Sequence, residues 1–307
     1  MESADSRPMI SSFQSPVISA LSAKGSAEPF QVLPSVKHYA GTPVSTYFHN
    51  LGIGTDLSAF IAKDDYPLPR TEDRQGYWGD DHYGWWLSGL DDYMGVKRVA
   101  KQYGVNLKRG DSTFELGCAS GRVLRHFGCQ EEGVDVWGAD IRLRHVEWVR
   151  NFLPKNICVF QNTILPQLPV EDNSQKIVYA FSVFTHIDDF ELAWVAELRR
   201  VLVPGGLAYL TIQSEHTWSN MKPEWEIWKS LMALKEHIQD YKISPGLFNQ
   251  PMPAPKTVFN LTPAEKCNCY VFHSDDYVRN AWGRFLSIKE IIREGHCFQD
   301  VVVLQKD

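Results

Sequence analysis

The sequence predicts an α/β protein with a doubly wound, mainly parallel sheet of seven strands and an antiparallel strand at its C-terminal end. Two observations support this class. From residue 112 onward, short β-rich segments alternate with segments of helical periodicity. The first strand leads through a glycine-bracketed turn, GCASG, into a helix, which is where doubly wound sheets bind nucleotide-like ligands. The 307 residues, 44% of them hydrophobic, suffice for one large domain with additions or for two small domains.

Two segments precede the predicted sheet. Residues 1–45 are rich in Ser, Pro, Ala and Gly and lack periodicity, which predicts a flexible tail. Residues 46–109 are aromatic and end in an amphipathic helix over about 90–103, which predicts an N-terminal aromatic and helical extension. Its clustered rings are Tyr77, Trp78, Tyr83, Trp85 and Trp86. They either pack as a hydrophobic surface on the next domain or form a lid over a ligand pocket.

The predicted domain spans 110–307. Its first five strands are predicted over 112–116, 134–140, 157–162, 176–182 and 207–213. The helix before the fifth strand ends at PGG (204–206), because proline lacks an N–H donor and glycine supplies a left-handed exit. An insertion at about 214–270 holds a helix (222–241) and a proline-rich stretch (244–256), and such insertions often shape a substrate pocket. The segments GRFLSIKEII and DVVVLQKD predict a closing hairpin.

Composition excludes several classes of function. The net charge of −6 argues against a nucleic-acid partner, because phosphate binding needs concentrated Lys and Arg. The six cysteines are scattered, which predicts free thiols in a reducing cytoplasm. Cys267 and Cys269 form the only close pair of cysteines. No second pair of cysteines or histidines accompanies them, so the sequence does not predict a zinc site. No apolar run of 18 residues occurs, so we expect neither a membrane span nor export.

The turn after the first strand predicts the cofactor. A strand, a tight turn and a helix bring free backbone N–H groups and the positive end of a helix dipole to one place. A dinucleotide would require a third small residue where this chain has Arg122, and Glu115 would face its diphosphate. The same carboxylate suits a cofactor that carries an ammonium and a sulfonium. The turn therefore favours S-adenosylmethionine, with Asp140 at the next strand end in reach of the ribose hydroxyls.

Four blocks carry a family resemblance: FELGCASGR, VWGADI, LPVEDNSQKIVYAFSVFTHI and LRRVLVPGGLAYLTI. In this order they resemble the class I S-adenosylmethionine-dependent methyltransferases, over about 112–213 strongly and over the terminal hairpin more weakly. The resemblance implies the Rossmann-like methyltransferase fold. SVFTH and QDVVVLQK are also similar to bacterial small-molecule methyltransferases often found beside glycosyltransferases. Ala119 departs from the usual glycine, which bears on affinity more than on the identity of the cofactor.

The resemblance also implies a set of cofactor-binding residues. It places Glu115 on the loop and the methionine amino group, Asp140 on the ribose hydroxyls and Ile141 against the adenine. The methionine and ribose side would be lined by Gly117, Cys118, Ala119 and Gly121. The adenine edge would be recognised by Asn162 and Thr163, with Gln161 as the neighbouring alternative to Asn162. The methionine moiety would be flanked by Phe181 and Ser182.

Methyl transfer is an in-line displacement, so positioning of the acceptor supplies much of the catalysis and a base assists. We expect His186 as the base, with His216 second and His273 third. Asp188 and Asp189 either hold a divalent cation or stabilise a helix N-terminus, and we predict no metal. An adenine or glutamine amino group as the acceptor would predict an Asn/Asp-Pro-Pro-Tyr motif where the chain reads AFSVF. We expect instead a small-molecule hydroxyl on a sugar, glycolipid or secondary metabolite. An NAD-dependent oxidoreductase and a non-catalytic cofactor-binding module remain the alternatives.

Overall fold

The computed structural model describes residues 29–44, 48–52, 54–236, 238, 242–260 and 269–307. The strands in these ranges are β1 (Val32–Ser35), β2 (Pro67–Pro69), β3 (Ser112–Leu116), β4 (Asp135–Asp140), β5 (Ile157–Gln161), β6 (Gln175–Ala180), β7 (Leu202–Ser214), β8 (Lys256–Asn260), β9 (Cys269–His273), β10 (Ser287–His296) and β11 (Gln299–Gln305). The α-helices are α1 (Ser58–Ala62), α2 (His82–Gln102), α3 (Leu124–Gln130), α4 (Leu143–Phe152), α5 (Glu191–Val201), α6 (Glu215–Ser219), α7 (Glu226–Leu234) and α8 (Asp275–Ala281). None of these helices is long and apolar enough to cross a bilayer.

The central sheet confirms the predicted fold class. Seven of its strands follow the order β10-β11-β7-β6-β3-β4-β5. The strands from β5 to β7 pair in parallel, whereas β11 runs antiparallel to both β7 and β10. One apolar cluster, which includes Trp86 and Tyr179, packs on one face, and a second, which includes Phe184 and Trp194, packs on the other. The sheet is therefore covered on both faces, as a doubly wound fold requires.

A short hairpin of β8 and β9, which the sequence does not predict, adjoins the end of β7. Strand β9 pairs in parallel with the last residues of β7, and β8 pairs antiparallel with β9. The helix predicted over 222–241 is also shorter: α7 covers Glu226–Leu234, and residues 237 and 239–241 lie outside the described ranges. A separate short helix, α6, starts directly after β7, where the Ser214 hydroxyl accepts hydrogen bonds from the backbone of the first turn.

Helix α2 begins at His82, eight residues before the predicted start at about 90. The Asp81 side chain accepts a hydrogen bond from Gly84 N at 2.7 Å and caps the helix. Trp85 and Trp86 lie within the helix and are buried at 2% and 0% exposure. Trp85 and Trp86 therefore belong to the apolar core that covers one face of the sheet. Tyr77 precedes the helix and is exposed.

Part of the predicted tail is regular structure. Residues 1–28 lie outside the described ranges. Within 29–44, β1 pairs antiparallel with β2, and the following Val36 is completely buried. The prediction of a flexible tail is therefore wrong for this part of the segment. Its backbone is paired in a strand and Val36 is buried, so the segment is ordered by contacts that composition does not reveal.

A buried ion pair joins the extension to the main domain. Arg125 Nε donates to Asp64 Oδ2 and Arg125 Nη2 donates to Asp64 Oδ1, both at 2.8 Å. Both side chains are 0% exposed. Trp86 Nε1 donates to the same Oδ2 at 2.7 Å. Carbonyls of Tyr66 and Pro67 accept two further guanidinium hydrogens. Residues 64–67 and helices α2 and α3 thus share one core.

Candidate active site

The turn after β3 packs closely against the neighbouring strands. Gly117 N and Cys118 N both donate to Ala139 O, at 2.8 and 3.0 Å, which closes the turn onto β4. Gly117 has φ +74°, and a Cβ at this position would lie 2.4 Å from Val183 Cγ2. The loop after β6 therefore approaches the turn so closely that only glycine fits. A Cβ at Gly121, with φ +83°, would likewise meet Leu153 Cδ1 at 2.5 Å.

Ala119 occupies a left-handed conformation although it carries a side chain. Its φ is +45°, which costs a non-glycine residue about 1–2 kcal/mol. Its backbone N–H donates to Asp140 Oδ2 at 2.8 Å. A hydrogen bond to a charged acceptor contributes about 1.5–3 kcal/mol, so Asp140 offsets the strain in the turn.

Asp140 is held in place by contacts from both sides. Its Oδ1 accepts a hydrogen bond from Arg142 N at 2.8 Å and lies 3.2 Å from His145 Nδ1. His145 Nε2 in turn contacts Gln75 Nε2 at 3.2 Å. The carboxylate is 7% exposed, and its two oxygens offer about four acceptor positions. It is thus oriented while it keeps capacity to bind hydroxyl donors.

Glu115 is a buried carboxyl group with an unused oxygen. The side chain is 3% exposed, and within the described residues its Oε2 has no hydrogen-bond partner. Burial raises the pKa of Glu115 well above its usual value, and the nearby Arg122 charge counters this only in part. A cationic group placed next to Oε2 would satisfy this oxygen and favour the ionised form.

Arg122, which the sequence analysis used only to exclude a dinucleotide, connects the turn to helix α2. Its Nη1 pairs with Asp92 Oδ2 at 2.6 Å, and its guanidinium carbon lies 5.7 Å from the centre of the Phe181 ring. Asp92 is 3% exposed. The sequence signal for it is an acidic pair, Asp91-Asp92, in the middle of an apolar helix.

Apolar side chains surround the ends of β4 and β5. Ile141 is 50% exposed, and Ile164 and Leu165, which the sequence analysis missed, are 40% and 44% exposed. Asn162 lies beside them with its Oδ1 buried, and within the described part of the chain that oxygen has no partner. Thr163 Oγ1 accepts a hydrogen bond from Leu165 N at 3.1 Å. This arrangement offers an apolar surface with an amide acceptor for a planar ring that carries an amino group.

The segment after β6 is held by the two strands on its other side. Ser182 has φ +56°, and its N donates to Thr211 Oγ1 of β7 at 2.7 Å. Its hydroxyl bonds the Gln299 side chain of β11. Phe181 is 8% exposed and packs against Tyr209. The structure thus gathers the predicted residues of β3, β4, β5 and β6 at one edge of the sheet, where the carboxyl ends of neighbouring parallel strands meet.

The two predicted bases lie in different surroundings. His186 Nδ1 is 2.7 Å from Cys269 O, and burial lowers the pKa of His186, which favours the neutral ring. His216 Nε2 is 3.2 Å from Glu294 Oε1 at the rim of an open cleft of about 570 Å³ beyond β7. The other lining side chains include Ser219, Asn220, Ser274 and Arg293.

The remaining candidates take part in structural contacts. His273, the third predicted base, is 0% exposed, and its Nε2 lies 3.4 Å from Glu191 Oε1. Asp188 Oδ1 pairs with Lys256 Nζ at 2.8 Å, which places a side-chain cation where the metal alternative would place an ion.

Comparisons with known proteins cover the same part of the chain. Residues 114–210 match the family model described as a methyltransferase domain. An S-adenosylmethionine-dependent methyltransferase from Mesorhizobium loti is 15% identical with a TM-score of 0.48, and the alignment covers 69% of this chain and 98% of that one. One from Aquifex aeolicus is 14% identical with a TM-score of 0.42, covering 70% and 93%. A search of curated proteins returned no match.

The family model spans the turn with Gly117, the acidic end of β4 and the segment after β6, which are the features gathered at the edge of the sheet. The matched domain identifies the protein as a methyltransferase. Residues 114–210 form a methyltransferase domain.

Proposed function

We propose that the enzyme transfers the methyl group of S-adenosylmethionine to a hydroxyl of a small molecule, of the class of sugars, glycolipids or secondary metabolites. The observation that carries this proposal is the cleft of about 570 Å³ beyond β7, whose lining mixes polar side chains with small and apolar ones. Its volume lies within the range of small-molecule sites, about 300–1,000 Å³. The AFSVF segment after β6, in place of an Asn/Asp-Pro-Pro-Tyr motif, argues against an adenine or glutamine amino group as the acceptor.

The orphaned polar atoms of the site support a specific orientation of the cofactor. Glu115 Oε2 would accept a hydrogen bond from the methionine ammonium, and the Asp140 carboxylate would accept from the ribose hydroxyls. The Asn162 Oδ1 would accept from the exocyclic amine of adenine, with Ile141 against the ring and Thr163 beside it. The methionine and ribose would follow the turn formed by Gly117, Cys118, Ala119 and Gly121, with Phe181 and Ser182 on the other side. When bound, the cofactor supplies an activated methyl group on a sulfonium.

The raised pKa of Glu115 gives this orientation a test. The cationic cofactor favours the ionised carboxylate, so binding should release a proton and affinity should rise with pH until pH exceeds the raised pKa. Isothermal titration in buffers of different ionisation enthalpy measures this proton. Glu115→Gln should abolish both the release and the pH dependence, whereas Glu132→Gln, at a 90% exposed side chain, should change neither. A proton release that survives in Glu115→Gln would contradict the assignment.

The acceptor can be identified by its product. We expect a metabolite extract incubated with the enzyme and isotope-labelled S-adenosylmethionine to yield a methyl ether detectable by mass spectrometry. A labelled amine, or no labelled product, would overturn the hydroxyl assignment, and cofactor binding without any product would indicate a non-catalytic module. Binding of reduced nicotinamide, measured by fluorescence, would revive the oxidoreductase alternative.

For the proton acceptor, His186 and His216 stay the sequence-based predictions. Each is compared by its alanine variant at saturating acceptor: loss of turnover with unchanged cofactor affinity supports the residue, and unchanged turnover excludes it. We also place the enzyme in the cytoplasm, because the thiols of Cys118, Cys129 and Cys158 are free and fit a reducing compartment.

A further inference from the structure

A third histidine, outside the sequence predictions, forms a pair with a buried carboxylate. His296 is the last residue of β10, and its Nδ1 lies 2.8 Å from Asp92 Oδ1 of helix α2. Burial alone would raise the pKa of Asp92, but the charges of His296 and Arg122 outweigh burial and hold it below its usual value. The carboxylate is therefore ionised and can only accept hydrogen bonds, so the shared proton sits on Nδ1 of the imidazole.

The other ring nitrogen is available. Fixing the proton on Nδ1 leaves the lone pair of Nε2 as a proton acceptor in the neutral ring. Among the described residues no hydrogen bond to His296 Nε2 occurs, and the side chain retains 15% exposure. Solvent or a substrate can therefore reach the imidazole while Asp92, with its side chain at 4% exposure, holds it from behind.

The ring lies beside the residues assigned to the methionine moiety. Its centre is 5.1 Å from that of Phe181, directly after β6. Three residues further along the chain, Gln299 bonds the Ser182 hydroxyl. Arg122 lies over the Phe181 ring and forms an ion pair with Asp92. The pair of His296 and Asp92 is therefore linked to the turn after β3. His296 thus borders the place where the methyl group would be presented.

Four other histidines among the described residues lack this combination. His186 has a backbone carbonyl instead of a carboxylate on Nδ1, and His216 pairs with Glu294, which is 47% exposed. His145 has a buried carboxylate partner, but its second nitrogen contacts Gln75. His273 has Glu191 but no exposure.

Resting on the proposed transfer to a hydroxyl, we propose that His296 is the general base and that Asp92 is the residue that positions it. As the acceptor oxygen bonds the methyl carbon, the carbon–sulfur bond breaks with both electrons left on sulfur, and the hydroxyl proton passes to His296 Nε2. The imidazolium is stabilised by Asp92 and returns its proton to solvent. The products are a methyl ether, S-adenosylhomocysteine and a proton.

Several titratable and charged groups face the imidazole. Asp92 approaches from α2 and Arg122 from the turn before α3, and the Cys297 thiol follows His296 in the chain. Burial first, and then the Asp92 charge, raise the pKa of Cys297 to about 11, so this thiol stays neutral near pH 7. An acidic limb of the rate profile that His296→Gln removes would therefore belong to the imidazole rather than to this thiol.

The test compares the full chain with His296→Gln, Asp92→Asn and, as a matched control, His38→Gln at an exposed site on the N-terminal segment. Turnover is measured with S-adenosylmethionine and a panel of hexoses, alkyl glycosides and phenols. A positioned base contributes about 100- to 10,000-fold, so His296→Gln should lose at least about 100-fold in turnover. It should keep cofactor affinity within about threefold and lose the acidic limb of the pH profile, and His38→Gln should match the parent.

A second measurement does not depend on activity. In the complex with S-adenosylhomocysteine, nitrogen NMR of labelled histidines should show His296 protonated on Nδ1, and Asp92→Asn should shift that tautomer. Three results overturn the inference: a parent His296 protonated on Nε2 in the neutral ring, turnover of His296→Gln within threefold of the parent, or an unchanged acidic limb. If the parent methylates no hydroxyl, the proposed function itself fails; if it does and His296→Gln equals it, only the inference fails.

Discussion

Replacing Asp64 with alanine should destabilise this enzyme severely, although the residue lies 61 positions away from its partner Arg125. The substitution would leave a guanidinium with 0% exposure and without its counter-charge. Breaking a buried pair from one side costs about 3–5 kcal/mol, whereas a domain is stabilised by about 5–15 kcal/mol in total. We therefore expect the loss of a large part of the free energy of unfolding.

Urea denaturation followed by tryptophan fluorescence measures this loss, and the chain supplies a control at the next position. Asp65 is 76% exposed and pairs with Lys37 on the surface, so Asp65→Ala should cost less than about 1 kcal/mol. The double variant Asp64→Leu with Arg125→Met should recover much of the stability, because it leaves no uncompensated charge. Equal free energies of unfolding for Asp64→Ala and Asp65→Ala would refute this account of the core.

The pH dependence has a defined sign. Burial would raise the pKa of Asp64, but the charge of Arg125 and hydrogen bonds from Arg125 and Trp86 lower it below its usual value. A carboxylate with a lowered folded-state pKa contributes its full stabilisation above the unfolded value of about 3.9. This contribution should decline as pH falls through the folded-state pKa, and Asp64→Ala should lack that part of the acid dependence.

Two further predictions concern the cofactor turn. Gly117→Ala should weaken S-adenosylmethionine binding by at least about tenfold, since the strained φ costs about 1–2 kcal/mol and the new methyl group meets Val183. The control Gly205→Ala has a similar φ and nothing within 4 Å, so it should bind the cofactor normally in calorimetry. Equal affinities of the two variants would refute the steric argument. Burial raises the pKa of the Cys118 thiol well above its usual value, so mass spectrometry should find exposed Cys158 alkylated at pH 8 long before Cys118, and equal rates would contradict this burial.

The sheet could be predicted because its signal is local. Each parallel strand is a short apolar run, and the alternation with helices is visible from residue 112 onward. The start of α2 could not be predicted this way, since Tyr83 to Leu90 are buried on every side of the helix and show no amphipathic stripe. The β8–β9 hairpin was missed because its strands flank residues 261–268 within a segment that breaks the regular alternation.

The candidate site, like the fold, has one part that the sequence predicts and one part that it does not. Glu115, Gly117 and Asp140 lie at strand ends that the sequence marks, and the structure places them at one edge of the sheet. The pair of Asp92 and His296 joins residues 204 positions apart, and no local pattern indicates which acid meets which histidine. Contacts of this kind depend on how helix α2 packs against the terminal hairpin, which only the folded chain determines.

The ion pairs of Arg122 with Asp92 and of Arg125 with Asp64 cross the start of the recognised methyltransferase segment. A fragment cut at residue 114 would inherit both cations and neither of the acids that neutralise them. Grafting this segment into a related enzyme should therefore succeed only when the residues from 64 to 102 are carried along. The smallest transferable unit of this protein is larger than its sequence signature.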